Sequence, residues 1–382
     1  MALKKLKIFV SVSSDISTDN RVLKSCASMH DMGFDVCLIG RKKSNSISLP
    51  VKPFQIRRMK MIFQKGVLFY VMLNVRLFFM LLFKRMNGLY ANDLDTLLPM
   101  YIISRIKKVP LIYDSHEIFT EVPELIHRPF KQKIWLLVER KIFKNLETII
   151  TVNESIANYY HTIYKKKIHV IRNISSKKQS EEKSIKIKEA NSSKKTFRLI
   201  IQGSGLNIER GIEEAVLAVI NFEDVELTLV GDGDALPNVK KLINEYGLND
   251  KVNIIGRLPY EKMMQYTKWA HVGLSLDKPT SLNYEFSLPN KIFDYIHAGT
   301  PFIASKLVEI ERIVNEFKCG VIINDINPIS IEKAINILKE DASYFETLCK
   351  NCEKASNYLN WETESQKLKA IISSAYSSCP KD

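Results

Sequence analysis

The sequence predicts an α/β protein with two doubly wound domains, and three observations support that prediction. In the first half, short β-branched or aromatic runs alternate with amphipathic stretches. A polar segment rich in Ser, Lys and Glu follows, and the same alternation then begins again. Alternating strands and helices of this kind form a parallel sheet that is covered on both faces. A chain of 382 residues also exceeds what one hydrophobic core usually serves, which favours two domains.

The first half begins with the segment MALKKLKIFVSV, which lacks the apolar stretch and the cleavage site of a secretory signal. We therefore expect a first strand there and no export. The predicted strands are LKIFVSV, DVCLIG, GLYA, PLIYD, ETIITV and IHVI. The predicted helices are RVLKSCASMH, TLLPMYIISRIKK, FKQKIWLLVERKIFKN and SIANYYHTIY.

Residues 173–196 contain too little apolar surface for a core, so we expect a linker there. The strands predicted after it are FRLIIQ, VELTLV, KVNII, HVGLSL, PFIAS and GVII. The expected organisation is a Rossmann-like domain in residues 1–172, the linker, a second such domain in 197–355, and a C-terminal helix in 356–382 that packs back on the first domain. Two such domains in tandem predict a ligand cleft between the carboxyl ends of their sheets.

Charge is unevenly distributed. Residues 1–170 contain 28 Lys and Arg against 13 Asp and Glu, whereas the remainder contains 28 against 29. Such a basic half favours an anionic surface or polymer. Because no nucleic-acid-binding motif accompanies it, we expect contact with an anionic membrane and no nucleic acid partner. A basic surface without a specific partner is the alternative.

The six cysteines are scattered, and the CxxC pair Cys349 and Cys352 has no second pair to complete a zinc site. Reduced thiols in a cytoplasmic protein explain this pattern. Asp-x-Asp occurs at residues 93–95 and 232–234, but we interpret these residues as acceptor-side and donor-loop residues rather than as the metal site of a metal-dependent transferase. We therefore expect a metal-independent protein without a cofactor.

The segment SLPNKIFDYIHAG predicts a turn followed by a helix, and the N-terminus of that helix suits an anionic ligand. Pro289 suits the first turn of a helix, and Gly299 suits its end. The free backbone amides near Asn290, together with Lys291, attract phosphate. Asp294 lies one turn further and is able to accept hydrogen bonds from two ribose hydroxyls. The alternative is that Asp294 only complements the helix dipole and Lys291 is a solvated charge.

Two glycine-rich turns reinforce the phosphate hypothesis, although each alone is more often a plain turn. The first, IQGSGLNIERG, places Gly203, Ser204 and Gly205 after a strand and Arg210 at the start of a helix. Its amides and guanidinium suit phosphates. The second, LVGDGD, contributes Gly231, Asp232 and Gly233.

In order and spacing, these segments resemble the GT-B glycosyltransferases of glycosyltransferase family 4, and the resemblance covers nearly the whole chain. Its most specific parts are ERG, LVGDGD, LPNKIFDYIHAGTPFIAS and VEIERIV in the second domain. In the first domain the matching segments are DNRVLKSCASMHDMGFDVCLIG, YANDLDTLLP, LIYDSHEIFTE and TVNESIANYY.

The resemblance implies that the second domain binds a nucleotide-diphosphate sugar, either a UDP- or a GDP-sugar. It assigns the ribose to Asp294 and the diphosphate to Arg210 and the amides near Asn290. Two positions depart from the family pattern. The upstream glutamate that contacts the donor sugar is replaced by Phe286, with Glu285 beside it, and the basic residue five before Arg210 is Gly205.

In the first domain, LIYDSHE places His116 and Glu117 on the loop that follows a strand. The family resemblance gives this histidine a contact with the transferred sugar, whereas a histidine held by local bonds is the alternative. In ANDLDT, Asp93 and Asp95 either serve the acceptor side or cap the helix that follows. Asp19 and Asn20 have the same two interpretations, and we expect Asn20, Asp93 and Glu117 on the acceptor side.

The segment from Met61 to Phe83 is the most apolar stretch of the chain. Its longest uncharged run, residues 66–75, is 10 residues, which is too short for a bilayer that requires about 20. Basic residues flank the segment, so it would also suit a membrane interface. The alternative is a crossover helix buried against the sheet.

Together these features predict a retaining glycosyltransferase of the hexosyltransferase type, with His116, Arg210 and Lys291 as its catalytic residues. It would transfer a sugar to a lipid-linked or polysaccharide acceptor during synthesis of a cell-surface glycan, in the cytoplasm or peripherally on the inner face of the membrane. The rival hypotheses are a sugar-nucleotide 2-epimerase, which shares this fold, and a non-enzymatic protein that binds anions or membranes.

Overall fold

The computed structural model describes residues 5–44, 46, 48, 51–177, 196–203 and 205–377. The chain forms two compact units. Unit 1 comprises Met1–Asn173 with Glu364–Asp382, and unit 2 comprises Ile174–Thr363. Most of the expected linker, residues 178–195, lies outside the described residues, and the boundaries expected from the sequence stay predictions.

Unit 1 is built on a seven-stranded sheet in which every pair of neighbouring strands is parallel. Its strands are β1 Lys7–Asp15, β2 Asp35–Lys42, β3 Gln55–Lys60, β4 Gly88–Asn92, β5 Leu111–Ser115, β6 Thr148–Thr151 and β7 His169–Val170. Its helices are α1 Asn20–Asp31, α2 Gly66–Leu82, α3 Leu94–Lys107, α4 Pro123–Ile126, α5 Pro129–Phe143 and α6 Glu154–Tyr164, with a 3₁₀ turn at Phe119–Glu121.

Unit 2 is built on a six-stranded parallel sheet. Its strands are β8 Phe197–Gly203, β9 Val225–Gly231, β10 Val252–Gly256, β11 Val272–Ser275, β12 Phe302–Ser305 and β13 Gly320–Ile323. The helices that follow are α7 Ile212–Ala218, α8 Leu236–Glu245, α9 Tyr260–Trp269, α10 Leu282–Glu285, α11 Asn290–Ala298, α12 Val308–Phe317, α13 Pro328–Glu340 and α14 Ala342–Ser356. The C-terminal helix α15, Trp361–Tyr376, runs from the end of unit 2 into unit 1.

Both sheets have the strand order of a doubly wound fold. Unit 1 runs β3-β2-β1-β4-β5-β6-β7, and unit 2 runs β10-β9-β8-β11-β12-β13. In each sheet the order reverses beside the first strand, and ligands of such sheets bind outside the carboxyl ends of the strands at this point. The predicted fold class, two parallel Rossmann-like sheets with alternating helices, is confirmed.

The apolar segment from Met61 to Phe83 forms α2, and the hypothesis of a buried crossover helix explains only one side of it. Phe69, Leu73, Leu77 and Leu81 are buried. Because they are four residues apart, they lie along one side of the helix, and the opposite side is exposed and also apolar. Within the described part of the chain, none of the helices has the length and hydrophobicity needed to cross a bilayer.

Strand β3 differs from the sequence analysis, which predicted no strand between β2 and α2. Its sequence, QIRRMK, is polar and basic, and it lies at the edge of the sheet beside β2. An edge strand has one side without a pairing partner and tolerates such residues. A run of β-branched or aromatic residues, the signal used to predict the other strands, is absent from this segment, which contains a single Ile.

Within unit 1, the last helix is tied to the central sheet. The Tyr376 hydroxyl donates a hydrogen bond to the Leu89 carbonyl at 2.7 Å. A side chain at Gly88 would lie 2.5 Å from the Tyr376 ring, so the absence of a β-carbon allows the helix to approach β4.

The described cysteines are free thiols, and Cys379 lies outside the described residues.

Candidate donor and acceptor sites

In unit 2, two glycines bring the ends of neighbouring strands into close contact. Gly203 ends β8 and Gly231 ends β9, and the two are paired in register. A β-carbon at Gly231 would lie 2.0 Å from the Gly203 carbonyl oxygen, and its φ of +149° is one that other residues rarely adopt. Only glycine fits at this position. Ser204, the next residue of the predicted loop, lies outside the described residues.

The loop after β8 is joined to the loop after β9 by backbone contacts. The Leu206 amide donates to the Asp232 carbonyl at 2.9 Å, and the Ala235 amide donates to the Leu206 carbonyl at 3.1 Å. At Gly233 a β-carbon would lie 2.1 Å from that Leu206 carbonyl oxygen. The two predicted glycine-rich turns therefore form one packed pair of loops at the carboxyl edge of the sheet.

Both predicted cations of unit 2 contact a single buried carboxylate, Asp277. Arg210 Nη1 lies 3.1 Å from its Oδ1, and Lys291 Nζ lies 3.2 Å from its Oδ2. Asp277 is 1% exposed and Lys291 8%, whereas Arg210 is 27% exposed. Arg210 Nε is buried and has no hydrogen-bond partner among the described residues. A charged carboxylate that is almost fully buried requires cationic partners, and Asp277 has two of them.

Lys291 extends from the first turn of α11, whose N-terminus is open. The N-cap residue is Pro289, which provides no side-chain cap, and Asn290 beside it is exposed. The first-turn amides of this helix thus keep the positive end of the dipole available. Helix α7, by contrast, is seven residues long and has Glu213 and Glu214 in its first turn, so it is less suited to an anion.

Asp294 is 5% exposed and already has three hydrogen-bond donors. Ser175 Oγ and the Tyr260 hydroxyl donate to its Oδ1 at 3.0 and 2.9 Å, and Gln202 Nε2 donates to its Oδ2 at 3.3 Å. Burial raises the pKa of this carboxyl, and the hydrogen bonds offset part of the effect. Because Gln202 directly precedes Gly203, Asp294 lies at the same edge of the sheet as the glycine loops.

The remaining predicted donor residues are more peripheral. Asp232 is 59% exposed, and its carboxylate lies 3.5 Å from Arg257 Nε. Glu285 ends the one-turn helix α10 and is exposed. Gly205 is half-buried, and the nearest atom to a β-carbon built there is Asn207 Nδ2 at 3.2 Å.

In unit 1, His116 lies between two carboxylates. Its Nδ1 is 3.2 Å from Asp93 Oδ2, its Nε2 is 3.6 Å from Asp114 Oδ2, and its backbone amide donates to Asp93 Oδ1 at 2.9 Å. Burial lowers the pKa of the imidazole, but Asp93 and Asp114 together raise it to about 10. The ring is therefore a cation at neutral pH, and it acts as a hydrogen-bond donor rather than as a base.

Asp114 is itself held by Arg21 from helix α1. The two form a bidentate pair, with Arg21 Nη2 2.7 Å from Oδ1 and Nε 3.1 Å from Oδ2, and the Tyr90 hydroxyl donates to Oδ2 at 2.7 Å. Burial raises the pKa of Asp114, but Arg21 and His116 outweigh it and keep the pKa below its usual value. The carboxylate that orients His116 is thus fixed from three sides.

Asp93 occupies the N-cap position of α3, but its side chain does not cap that helix. Its carboxylate instead contacts His116, and its backbone has a φ of 58°, which is unusual for a residue with a side chain. Asp19, in contrast, caps α1 by accepting from the Val22 amide. Asn20 is exposed in the first turn of that helix, and Glu117 follows His116 and is half-buried.

Sequence analysis missed several residues that complete these clusters. Asp277 lies two residues after strand β11 and directly after the predicted strand HVGLSL, so an acid immediately after a predicted strand was an available signal. Arg21 and Gln202 gave no signal, because a single Arg in a helix or Gln in a strand is ordinary. Tyr260, the first residue of α9, contacts Asp294 across 34 residues of sequence, and only the fold brings the two together.

Two family models match the chain, one for each half. Residues 20–174 match the model described as Glycosyltransferase Family 4, and residues 183–358 match the model described as Glycosyl transferases group 1. The chain belongs to the GT-B glycosyltransferases of the group 1, family 4 type. No curated protein matches the chain significantly in sequence.

Solved structures share the fold of this glycosyltransferase along its full length. Sucrose-phosphate synthase from Thermosynechococcus elongatus is 17% identical with a TM-score of 0.79, over 98% of this chain and 100% of that one. HepE from Anabaena, in complex with UDP, is 16% identical with a TM-score of 0.75, over 97% and 100%. WaaG, a glycosyltransferase involved in lipopolysaccharide biosynthesis, is 11% identical with a TM-score of 0.73, over 96% and 99%.

The raised pKa of His116 makes a testable contribution to stability. Its pKa rises from 6.5 to about 10 in the folded state, so the stabilisation is fully present below pH 6.5, declines as pH rises and is lost above pH 10. We expect the difference in unfolding free energy between the parent and His116→Gln to shrink across that interval. Urea unfolding at several pH values measures it.

An independent check follows the His116 ring by NMR titration. We expect a midpoint far above 6.5 that moves to lower pH in Asp93→Asn, because that variant removes one of the two carboxylates. A midpoint near 6.5 in the parent protein would contradict the charged imidazole.

Proposed function

We propose that this glycosyltransferase is a retaining, hexosyltransferase-type enzyme that transfers a sugar from a nucleotide-diphosphate sugar to a lipid-linked or polysaccharide acceptor in cell-surface glycan synthesis. The observation that carries the proposal is the pairing of Arg210 and Lys291 on the buried Asp277 beside the open N-terminus of α11. The retaining outcome is proposed on the family resemblance alone. Metal independence stays a prediction from the sequence.

The donor diphosphate would bind against these two cations. Breaking the sugar–phosphate bond leaves negative charge on the departing diphosphate, and cations fixed before the reaction stabilise that charge most effectively. Arg210 Nε is a buried donor without a partner among the described residues, and a phosphate oxygen would supply one. Asp277 keeps both cations in place without neutralising them fully, because one carboxylate carries one charge.

The ribose of the nucleotide would bind to Asp294. Its carboxylate lies at the edge of the sheet and accepts hydrogen bonds from the hydroxyls of Ser175 and Tyr260. Because these donors are neutral hydroxyls, ribose hydroxyls would replace them at a small cost in free energy. HepE was solved in complex with UDP, which supports a uridine nucleotide, and a GDP-sugar stays an alternative. Gly203, Gly205, Gly231 and Gly233 stay proposed as residues of the loops that bind the donor.

His116 would contact the transferred sugar as a charged hydrogen-bond donor. A cation held by Asp93 and Asp114 polarises a sugar hydroxyl and favours negative charge that develops nearby. Asp93, Glu117 and Asn20 stay proposed for the acceptor side.

We propose that the enzyme works in the cytoplasm, peripherally on an anionic membrane. The excess of basic residues in the first 170 residues supports this placement, since anionic lipids attract clustered Lys and Arg. WaaG, which is involved in lipopolysaccharide biosynthesis, supports a glycan or lipid-linked acceptor.

Product analysis tests the reaction class. With a UDP- or GDP-sugar and an extract of lipid-linked or polysaccharide acceptors, we expect release of the nucleotide diphosphate to depend on acceptor, and NMR to show that the anomeric configuration is kept in the product. Conversion of the nucleotide-sugar to its 2-epimer without an acceptor would instead identify an epimerase.

Removing either donor-site cation should weaken nucleotide binding. Charge-assisted hydrogen bonds contribute about 1.5–3 kcal/mol, so we expect Arg210→Gln and Lys291→Gln each to lower the affinity for UDP or GDP roughly 10- to 150-fold in calorimetric titrations. Lys278→Gln is the matched control, because it removes the same charge from a lysine that pairs with Glu214 at 2.6 Å. Equal losses in all three variants would refute a specific diphosphate site.

Asp294→Asn separates a ribose contact from a purely structural role. The variant keeps the shape and removes the charge, so nucleoside diphosphate affinity should fall roughly 10- to 150-fold while pyrophosphate, which has no ribose, binds as before. If Asp294 only stabilises the turn through Ser175, Tyr260 and Gln202, the melting temperature falls and both ligands are affected alike.

A further inference from the structure

Three neighbouring helices of unit 1 expose an apolar surface. Helix α2 packs on α3, and α3 packs on α5. Tyr70 of α2 and Trp135 of α5 also meet, with their ring centroids 5.3 Å apart. The outward sides of α2, α3 and α5 are called the three-helix face below.

Each of these helices has an outward row of apolar side chains. On α2 the residues Val67, Val71, Val75 and Phe79 lie four apart, so they form one continuous line, and each is 48–57% exposed. On α3 the same spacing places Leu98, Ile102 and Ile106 outward. On α5 the exposed residues Phe130, Ile134 and Leu137 are spaced four and three apart, so they also share one side of the helix. Single exposed apolar residues are normal, but a surface of ten on three adjoining helices is typical of a binding face.

The charges on the three-helix face have one sign. Helix α2 contains no acidic residue, and the acids of α3 and α5 are Asp95 and Glu139, which are only 4% and 1% exposed. The exposed charged residues of the three helices are therefore basic: Arg76, Arg105, Lys107, Lys133, Arg140 and Lys141. An ordinary solvated helix surface mixes both signs.

Helix α13 of unit 2 shows the ordinary pattern. It exposes two apolar residues, Ile329 at 65% and Ile337 at 50%. Beside them lie Glu332 and Glu340 as well as lysines, so the surface carries both charges. The combination of apolar rows and purely basic charge on the three-helix face is thus absent from α13.

We propose that the three-helix face lies in the interfacial layer of an anionic lipid bilayer. Apolar side chains would enter the boundary between headgroups and acyl chains, while the basic side chains would bind lipid phosphates. Lys and Arg suit this position because their apolar stems extend the buried surface and their charged ends reach the headgroups. The inference rests on the proposed membrane placement and assigns it to specific helices.

Vesicle sedimentation tests the apolar part. The protein is mixed with vesicles of phosphatidylcholine, with and without phosphatidylglycerol. We expect the parent to bind the anionic vesicles far more strongly. The double variant Val71→Ser, Phe79→Ser should bind them at least about tenfold more weakly, at low and at high salt alike, because apolar burial is not screened. The matched control, Ile329→Ser with Ile337→Ser, should bind like the parent.

The basic part requires a second pair of variants. Each Lys near an anionic surface contributes about a fivefold gain in binding, so Lys133→Gln with Lys141→Gln should lower binding roughly 10- to 30-fold at low salt and much less at about 0.5 M salt. Lys240→Gln with Lys241→Gln changes the net charge of the protein equally on the exposed side of α8, and we expect no loss from it.

Nucleotide affinity, measured without vesicles, keeps this inference separate from the donor site. All four variants should bind UDP or GDP like the parent and keep its circular dichroism spectrum. Absence of binding to anionic vesicles, equal binding to neutral ones, or equal losses in the test and control pairs would overturn the inference. It would also be overturned if the protein formed a dimer in light scattering that Val71→Ser, Phe79→Ser dissociated while vesicle binding was unchanged, since the face would then bind a second copy.

Discussion

Both candidate sites of this enzyme depend on one constraint, which is that a buried carboxylate needs cationic partners. Asp277 in unit 2 is 1% exposed, and Asp114 in unit 1 is fully buried. An isolated charge in so dry a site costs several kcal/mol, so each carboxylate fixes the position of the cations around it. Asp277 positions Arg210 and Lys291, and Asp114 positions Arg21 and His116.

The same constraint has opposite chemical consequences in the two units. In unit 2 one carboxylate faces two cations, which leaves net positive charge at the end of the sheet where a diphosphate would bind. In unit 1 the histidine lies between two carboxylates, which raise its pKa and keep the ring protonated at neutral pH. The two sites differ in how many carboxylates contact each cation: Arg210 and Lys291 share one, whereas His116 contacts two.

Close backbone approach places the cluster of unit 2. Gly203 and Gly231 allow β8 and β9 to end side by side, and Gly233 allows the next loop to lie against the Leu206 carbonyl. With larger residues the loops would separate, and Gln202, the residue that reaches Asp294, would shift with them. The glycines therefore set the geometry of the site even where they make no contact with a ligand.

The sequence by itself determined the fold class, the position of all strands except the polar edge strand β3, and the family of the enzyme. The fold class and the strands follow from hydrophobic periodicity and glycine-rich turns, which are local signals, and the family follows from the resemblance of several segments to its known motifs. The sequence also indicated five candidate site residues because they lie in or beside conspicuous turns: Arg210, Lys291, Asp294, His116 and Asp93. Only the tertiary structure decided that Arg210 and Lys291 share Asp277. It also decided that Asp93 contacts His116 instead of capping its helix. Finally, it showed that α2 is apolar on its exposed side as well as on its buried side. These facts depend on contacts between residues far apart in the chain and on which side of a helix faces water, and neither is encoded in a local pattern.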